Sequence, residues 1–434
     1  MPDTRIAVAV AVALLAVPPA RAEQPSAAPP QPPAEQSPPP VAGKEPATQG
    51  DLKALAEEVR RLKLEIGIPD VEYKSWAGLG PAASKVYYQP KGLALGGYGE
   101  IYYSHFLDDR TDATDLYRVV LYAGYRFSEK IVFNAEIEFE HGGGEVGVEF
   151  AYLDFLFSNL VRLRAGNMLV PLGFVNEMHE PPFFHGVFRP EVERNLVPST
   201  WNENGIGLYG EVAGLRYKAY LLAGLDALGP LQAKSWLRGA RTGAAEAPAE
   251  SWAAVLALAY DLGPATVAAA VYRGRAGQGA SDAAGEKIRA DVLIAEAHAG
   301  LAWKGLQLRA LYAVGTLGDA DRVSAELFLS GTSVIGSRVR GGYLEVAYDL
   351  LPALAPDSEQ SLSPFVRFEG MNLHHQVPAG GTEDPALDTV AWTAGLTYKP
   401  IPTVVAKADY QRKTSEAPGA AAAEQVNLGL GFVF

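Results

Sequence analysis

The sequence predicts an all-β fold: a 16-stranded antiparallel transmembrane β-barrel with a short N-terminal coiled-coil helix and a long third loop folded inward. Three observations carry that expectation. The chain runs out through Gln425–Phe434, where Val426, Leu428, Leu430, Phe432 and Phe434 alternate with Asn427, Gly429 and Gly431. Residues 131–141 alternate just as cleanly, with Ile131, Phe133, Ala135, Ile137 and Phe139 set against Val132, Asn134, Glu136, Glu138 and Glu140. A period of two places those carboxylates on one face, which cannot border lipid and so faces a lumen. The third observation is that short and long connections take turns along the chain.

Taken in order, Arg5, an apolar run from Ile6 to Val17 and the small-residue site Ala20-Arg21-Ala22 form a secretory signal peptide over 1–22. That run is too short to cross a bilayer of about 30 Å as a helix. Residues 23–50 are rich in Pro, Ala and Gln and form a linker. From 51 to 66, Leu52, Leu55, Val59, Leu62 and Ile66 repeat at three and four, the seam of a coiled coil. Such a short helix needs partners, either copies brought together by a trimer or the rim of its own barrel. Residues 67–91 are a linker to the barrel, which spans 92–434.

Alternation predicts strands over 94–106, 116–127, 131–141, 145–157, 161–168, 206–213, 215–224 and 251–260. It continues over 265–273, 288–303, 306–314, 339–349, 363–371, 390–399, 403–411 and 425–434. With the N-terminus periplasmic, the turns at 128–130, 158–160, 213–214, 261–264, 304–305 and 400–402 are short, and only 350–362 is long. Connections on the opposite side, such as 169–205, 225–250 and 315–338, are longer, as outer-membrane barrels require. Tyr125, Tyr260, Tyr348 and Tyr398 fall where strands meet short turns, the place of an aromatic girdle. Expected outward on the second strand are Tyr117, Val119, Leu121, Ala123, Tyr125 and Phe127, with Arg118, Tyr122 and Arg126 inward.

Bulk composition narrows the function. There is no cysteine, so thiol chemistry and disulfides are absent, and 50 Asp plus Glu against 37 Lys plus Arg argue against nucleic acid as a partner. The 45 glycines and 20 tyrosines suit tight turns and interfacial rings, and mean hydropathy is near zero at +0.01. The seven histidines show no Ser or Asp partner of a catalytic set, so no enzyme activity, catalytic residue or cofactor is expected.

The third outer loop carries Pro171, Pro181, Pro182, Pro190 and Pro198 with Phe174, Phe183, Phe184, Phe188 and Trp201, which suits a rigid, buried path. Its candidate constriction residues are Glu177, His179, Glu180, His185, Arg189, Glu193 and Arg194. Glu177, His179, Glu180 and His185 include metal-ligating types, but their spacing matches no metal motif, so no metal site is expected. Inward positions elsewhere give a basic set of Arg118, Arg126, Arg162, Arg164, Arg216, Lys218, Arg309, Arg367 and Lys407. The acidic set is Glu136, Glu138, Glu140, Glu145 and Glu149, with Glu211, Glu296, Glu345, Glu369 and Asp409 further along. Two arrangements are open: opposed walls that set a transverse field across water, or walls that pair into salt bridges.

The run Arg164-Ala165-Gly166-Asn167-Met168-Leu169-Val170-Pro171-Leu172-Gly173 resembles the phosphate-selective porin O and P family. Gly342–Tyr348, Pro364–Glu369 and the closing run from Gly395 through Tyr398 to Ala408–Arg412 add to the resemblance, which covers about 92–434. It implies a homotrimeric 16-stranded channel in the outer membrane of a Gram-negative bacterium, passing small solutes or anions such as phosphate. Leu169 departs from that pattern, standing where the family commonly has lysine. Other expected partners are outer-membrane lipid and the barrel-assembly machinery, which would read Phe434. A structural anchor or envelope tether built on the N-terminal coiled-coil arm is the alternative function.

Overall fold

Sheet closure is made by the two ends of the barrel sequence. The computed structural model describes residue 53 and residues 74–355 and 358–434. The chain divides into two units, and of the first, Met1–Glu57, only Lys53 is described. The expected signal peptide, the 23–50 linker and the coiled coil over 51–66 therefore lie outside the described residues, Lys53 apart.

In the second unit, sixteen strands close into one barrel, each paired antiparallel with its sequence neighbours. They are β1 (Gly92–Phe106), β2 (Ala113–Arg126), β3 (Ile131–Glu140), β4 (Glu145–Leu156), β5 (Arg162–Leu169), β6 (Asn202–Val212), β7 (Leu215–Ala223) and β8 (Trp252–Leu262). The second half holds β9 (Ala265–Arg275), β10 (Asp291–Trp303), β11 (Leu306–Leu317), β12 (Arg338–Tyr348), β13 (Ser361–Gln376), β14 (Asp388–Ile401), β15 (Val404–Ser415) and β16 (Ala423–Val433). β16 pairs with β1 from Tyr98↔Val433 to Phe106↔Gln425. The Phe434 N–H donates to the Gly97 carbonyl at 2.9 Å, and the Gly97 N–H to the Phe434 carbonyl at 3.0 Å. The expected alternation of short and long connections holds for most of the barrel, with 107–112, 141–144 and 416–422 brief on the long-loop side and 349–360 long on the other.

The barrel is apolar outside and charged inside. Leu95, Leu208, Leu256, Leu344 and Leu430 are exposed, while Glu136, Asp154, Arg164 and Arg367 are buried. That inversion of a soluble protein's distribution is what lipid outside and a filled lumen inside demand. Tyr125, Tyr260 and Tyr348 are exposed near the short turns, as expected of a girdle, while Tyr398 is half-buried and bonds Gln360 at 2.9 Å.

Two bulges change the phase of alternation. In the β1–β2 ladder the register jumps from Glu100↔Arg118 to Tyr102↔Asp115, so β2 carries an extra residue there. Tyr117, expected outward, instead lines the lumenal cavity beside Arg118, because a bulge re-aims the side chains at its site. In the β3–β4 ladder, Glu136↔Phe150 is followed by Ile137↔Val148, leaving Glu149 as the extra residue. Beyond it, Phe150, Tyr152 and Asp154 all turn inward and are buried.

Part of the expected 67–91 linker is folded. Helix α1 (Pro81–Tyr88) packs inside β1, β2 and β3. Pro81 supplies a helical φ at the first position, and the Glu180 carboxylate accepts from the Ala82 and Ala83 N–H groups at 2.9 and 3.2 Å. The helix stops at Gln89, which is extended ahead of Pro90. Gly124 makes this seat possible, since a Cβ there would lie 2.5 Å from the Val86 Cβ. The Trp76 ring stacks on Tyr87 at 4.8 Å.

Candidate functional site

The lumen is shaped by two inward loops, L3 (170–201) and L4 (224–251). L3 is buried along most of its length, which its five prolines and its aromatic rings favour: five fewer backbone donors need partners and much apolar area is covered. Its backbone is held from the far wall. The Val187 N–H donates to Asp409 at 2.6 Å, and the Glu193 carboxylate accepts from the Tyr343 hydroxyl at 2.5 Å and from the Val175 N–H at 2.8 Å. Pro181 packs on Gly431, where a Cβ would come within 2.5 Å of the Pro181 Cβ. The small face of the last strand is thus a seat for L3, a role its sequence alone did not suggest.

Inside the barrel lies a cavity of about 1070 Å³. Glu138 and Glu140 of β3 and Glu145 and Glu149 of β4 line it from the wall, while Arg189 and Arg194 of L3 and Arg238 and Arg241 of L4 line it from the loops. L4 is anchored by buried Trp236, whose Nε1–H donates to the Gly336 carbonyl at 3.0 Å. Arg238 donates to the Arg194 carbonyl at 2.8 Å and Arg241 to the Ser199 carbonyl at 2.8 Å. Burial, and less so the neighbouring guanidinium groups of Arg241 and Arg194, push Arg238 down to about 9.

The deeper lumen is paired rather than open. Arg118 lies 3.0 Å from Glu100, 3.0 Å from Glu138 and 3.1 Å from Glu140. Arg164 bonds Asp154 at 2.9 Å through both Nε and Nη2, and Asp154 also accepts from Tyr87 of α1 at 2.6 Å and Tyr209 at 2.7 Å. Arg367 bonds Glu369 at 2.9 Å and Glu345 at 3.2 Å. Lys218 meets Glu177 at 2.5 Å. Lys407 has its Nζ 3.6 Å from the centre of the Phe184 ring and no hydrogen-bond partner among the described residues.

Other candidates stand at the short-turn end. Arg126 donates to the Tyr87 carbonyl at 2.5 Å, Arg162 lies 4.8 Å from the Trp76 ring, and half-exposed Arg216 pairs with Asp261 at 2.7 Å. Arg309 donates to the Phe183 carbonyl.

The loop residues separate rather than gather. Glu177 goes to β7, Glu180 to α1, and His185 to Thr397 and Gln307 at 3.1 and 3.2 Å. His179 sits 3.0 Å from Glu136 and 3.8 Å from Glu149. Burial, then Arg189, push His179 down to about 3, so its ring is neutral. Burial likewise pushes Glu180 up to about 8.

Sequence reasoning missed Asp154, Arg238, Arg241 and α1. Asp154 was hidden by the bulge at Glu149, though the run Phe150, Tyr152, Asp154 is itself alternating. The signal for L4 was Leu231, Trp236 and Leu237, large apolar residues in a connection that would otherwise face water.

No family model matches the chain. A protein of Aquifex aeolicus (strain VF5), described as uncharacterized, is 40% identical over 369 residues, covering 82% of this chain and 83% of its own length. Salmonella typhi OmpF, solved with daunomycin, superposes with a TM-score of 0.54 at 14% identity, covering 80% of this chain and 98% of that one. The trimer form of in-vitro folded Vibrio cholerae OmpT, an outer membrane protein, gives 0.50 at 13% identity, with 79% and 99% covered. The anion-selective porin from Comamonas acidovorans gives 0.50 at 11% identity, with 79% and 100% covered. The fold is that of the outer-membrane porins, and by sequence the chain belongs to the family of the Aquifex aeolicus protein.

Proposed function

We propose that this chain is an outer-membrane channel through which small hydrophilic solutes and ions diffuse, without catalysis and without a cofactor. The observation that carries the reading is a charged cavity of about 1070 Å³ enclosed by a barrel with an apolar outer face. Carboxylates on the β3–β4 wall and guanidinium groups on L3 and L4 border the same space, so dipolar solutes orient across it and neither sign of ion is excluded. The arginine side offers passage to anions, phosphate among them.

The expected signal peptide supports export, and the alternating, aromatic-bearing strand over Gln425–Phe434 supports recognition by the assembly machinery. A homotrimer is supported by the likeness to the Vibrio cholerae trimer form. Purified barrel added to planar bilayers gives stepwise ohmic currents, with a reversal potential near zero under a salt gradient. Absence of steps from folded protein overturns the channel reading. Titration with phosphate reads the anion preference, since block at low phosphate requires a binding site that free diffusion does not.

A further inference from the structure

Glu136, Glu149 and His179 come from three elements, β3, the bulge in β4 and L3, and are brought together only by the folded loop. Glu136 and His179 are at most 1% exposed and Glu149 is 6% exposed. One ligand atom from each lies within 4.8 Å of the other two. The His179 Nδ1 faces the Asn176 carbonyl at 3.0 Å, which only a donor N–H can satisfy. With the proton on Nδ1, it is Nε2 that is left to face Glu136 Oε1 at 3.0 Å and Glu149 Oε2 at 3.8 Å, as a metal ligand's free nitrogen would. The three groups therefore face one another within 4.8 Å. Glu136 Oε2 and Glu149 Oε2 are buried and make no well-directed hydrogen bond among the described residues, with Tyr122 beside the first group and Glu138 beside the second. The nearby Arg118 is already taken by Glu100, Glu138 and Glu140.

We propose that Glu136, Glu149 and His179 form a binding site for one divalent transition cation of the zinc type, which fastens L3 to the β3–β4 wall. One imidazole and two carboxyl groups are a donor set that zinc accepts, and binding the divalent ion releases the protons that the paired carboxyl groups share. The backbone carbonyl of Asn176 fixes the ring as an outer partner does in metal sites. Glu149 borders the large cavity and so gives the ion a route in. A second group, Glu140, His141 and Glu145, lies at the exposed rim, and its histidine is already held by Asp115 at 2.5 Å. It serves as the internal control.

The test uses the full barrel in detergent, stripped with chelator and titrated with zinc against a chromophoric competitor. His179→Gln and Glu149→Gln are each expected to weaken zinc binding by about tenfold or more, with His141→Gln unchanged. Heat-modifiable migration on gels confirms that each variant is folded, and Glu149→Gln keeps the side-chain shape should His179→Gln misfold. Anomalous density at the zinc edge beside His179 Nε2 supports the site directly. Wild-type binding no tighter than that of folded His179→Gln and Glu149→Gln overturns it, the cluster then being held by shared protons. Loss of binding in His141→Gln in place of His179→Gln overturns it too.

Discussion

Arg118 on β2 and Arg367 on β13 are both buried among strand carboxylates, yet they do different work. Arg118 has three carboxylates at 3.0 to 3.1 Å, but its Nε and Nη1 make no well-directed hydrogen bond, and it borders the water-accessible cavity. Arg367 makes directed bonds to Glu369 and Glu345 and spends its remaining donors on the L3 carbonyls of His185 at 3.1 Å and Phe188 at 3.2 Å. The first holds a charged wall together; the second clamps the loop that fills the lumen. An arginine's role in such a barrel is therefore set by what the loop brings to it, since both side chains are buried in the lumen against carboxylates.

The largest effect is expected at the clamp. Arg367→Ala leaves Glu345 and Glu369 buried and unpaired, costing about 3 to 5 kcal/mol in urea unfolding and raising single-channel conductance as L3 loosens. A loss below about 1 kcal/mol would remove the distinction between clamp and wall.

Acid attacks the same region. Burial, with a smaller push from Arg309 and opposed by Glu345, brings His185 down to about 4 from 6.5. Between those values the unfolded chain binds the proton and the folded chain does not, so stability falls as pH drops through that window. The full loss is on the order of 3 kcal/mol, and folded His185→Gln should lose this part of the pH dependence. A variant as acid-sensitive as the parent would place the titration elsewhere.

At the wall, Arg118→Ala should cost less, about 1 to 3 kcal/mol, because Glu138 and Glu140 border the cavity and can take up water. Its signature is a reversal potential shifted toward cations with conductance little changed; a conductance jump like that of Arg367→Ala would mean Arg118 is also a clamp. The smallest change is expected for the half-exposed pair at the turn end. Asp261→Asn, which breaks the contact with Arg216, should shift stability by less than about 1 kcal/mol, and a larger shift in thermal unfolding would show that exposed pairs here share the work.

Much of the barrel was legible because a lipid-facing strand has few options. Ile131–Glu140 and the last strand fall within a residue or two of the expected bounds, and the strand count matches, since outward side chains must be apolar at every second position. The same rule failed at Glu149, where one extra residue inverts the phase for Phe150, Tyr152 and Asp154. It was silent on α1, whose eight residues, opening on Pro81-Ala82-Ala83, carry no periodic signal strong enough to mark them. L3 was recognisable as rigid and buried from its prolines and rings, but not the partners of its charges.

The sequence by itself determined the barrel, the parity of its connections and the residue types in its lumen, because the environments on the two sides of a strand differ so sharply that alternation must encode them. Only the tertiary structure decided which charges meet. Arg367 finds the His185 carbonyl 182 residues away, Tyr343 finds Glu193 150 away, and His179 finds Glu136 43 away. Those contacts depend on the path L3 takes across the lumen and on one bulge in β4, and neither has a period that the order of residues could announce.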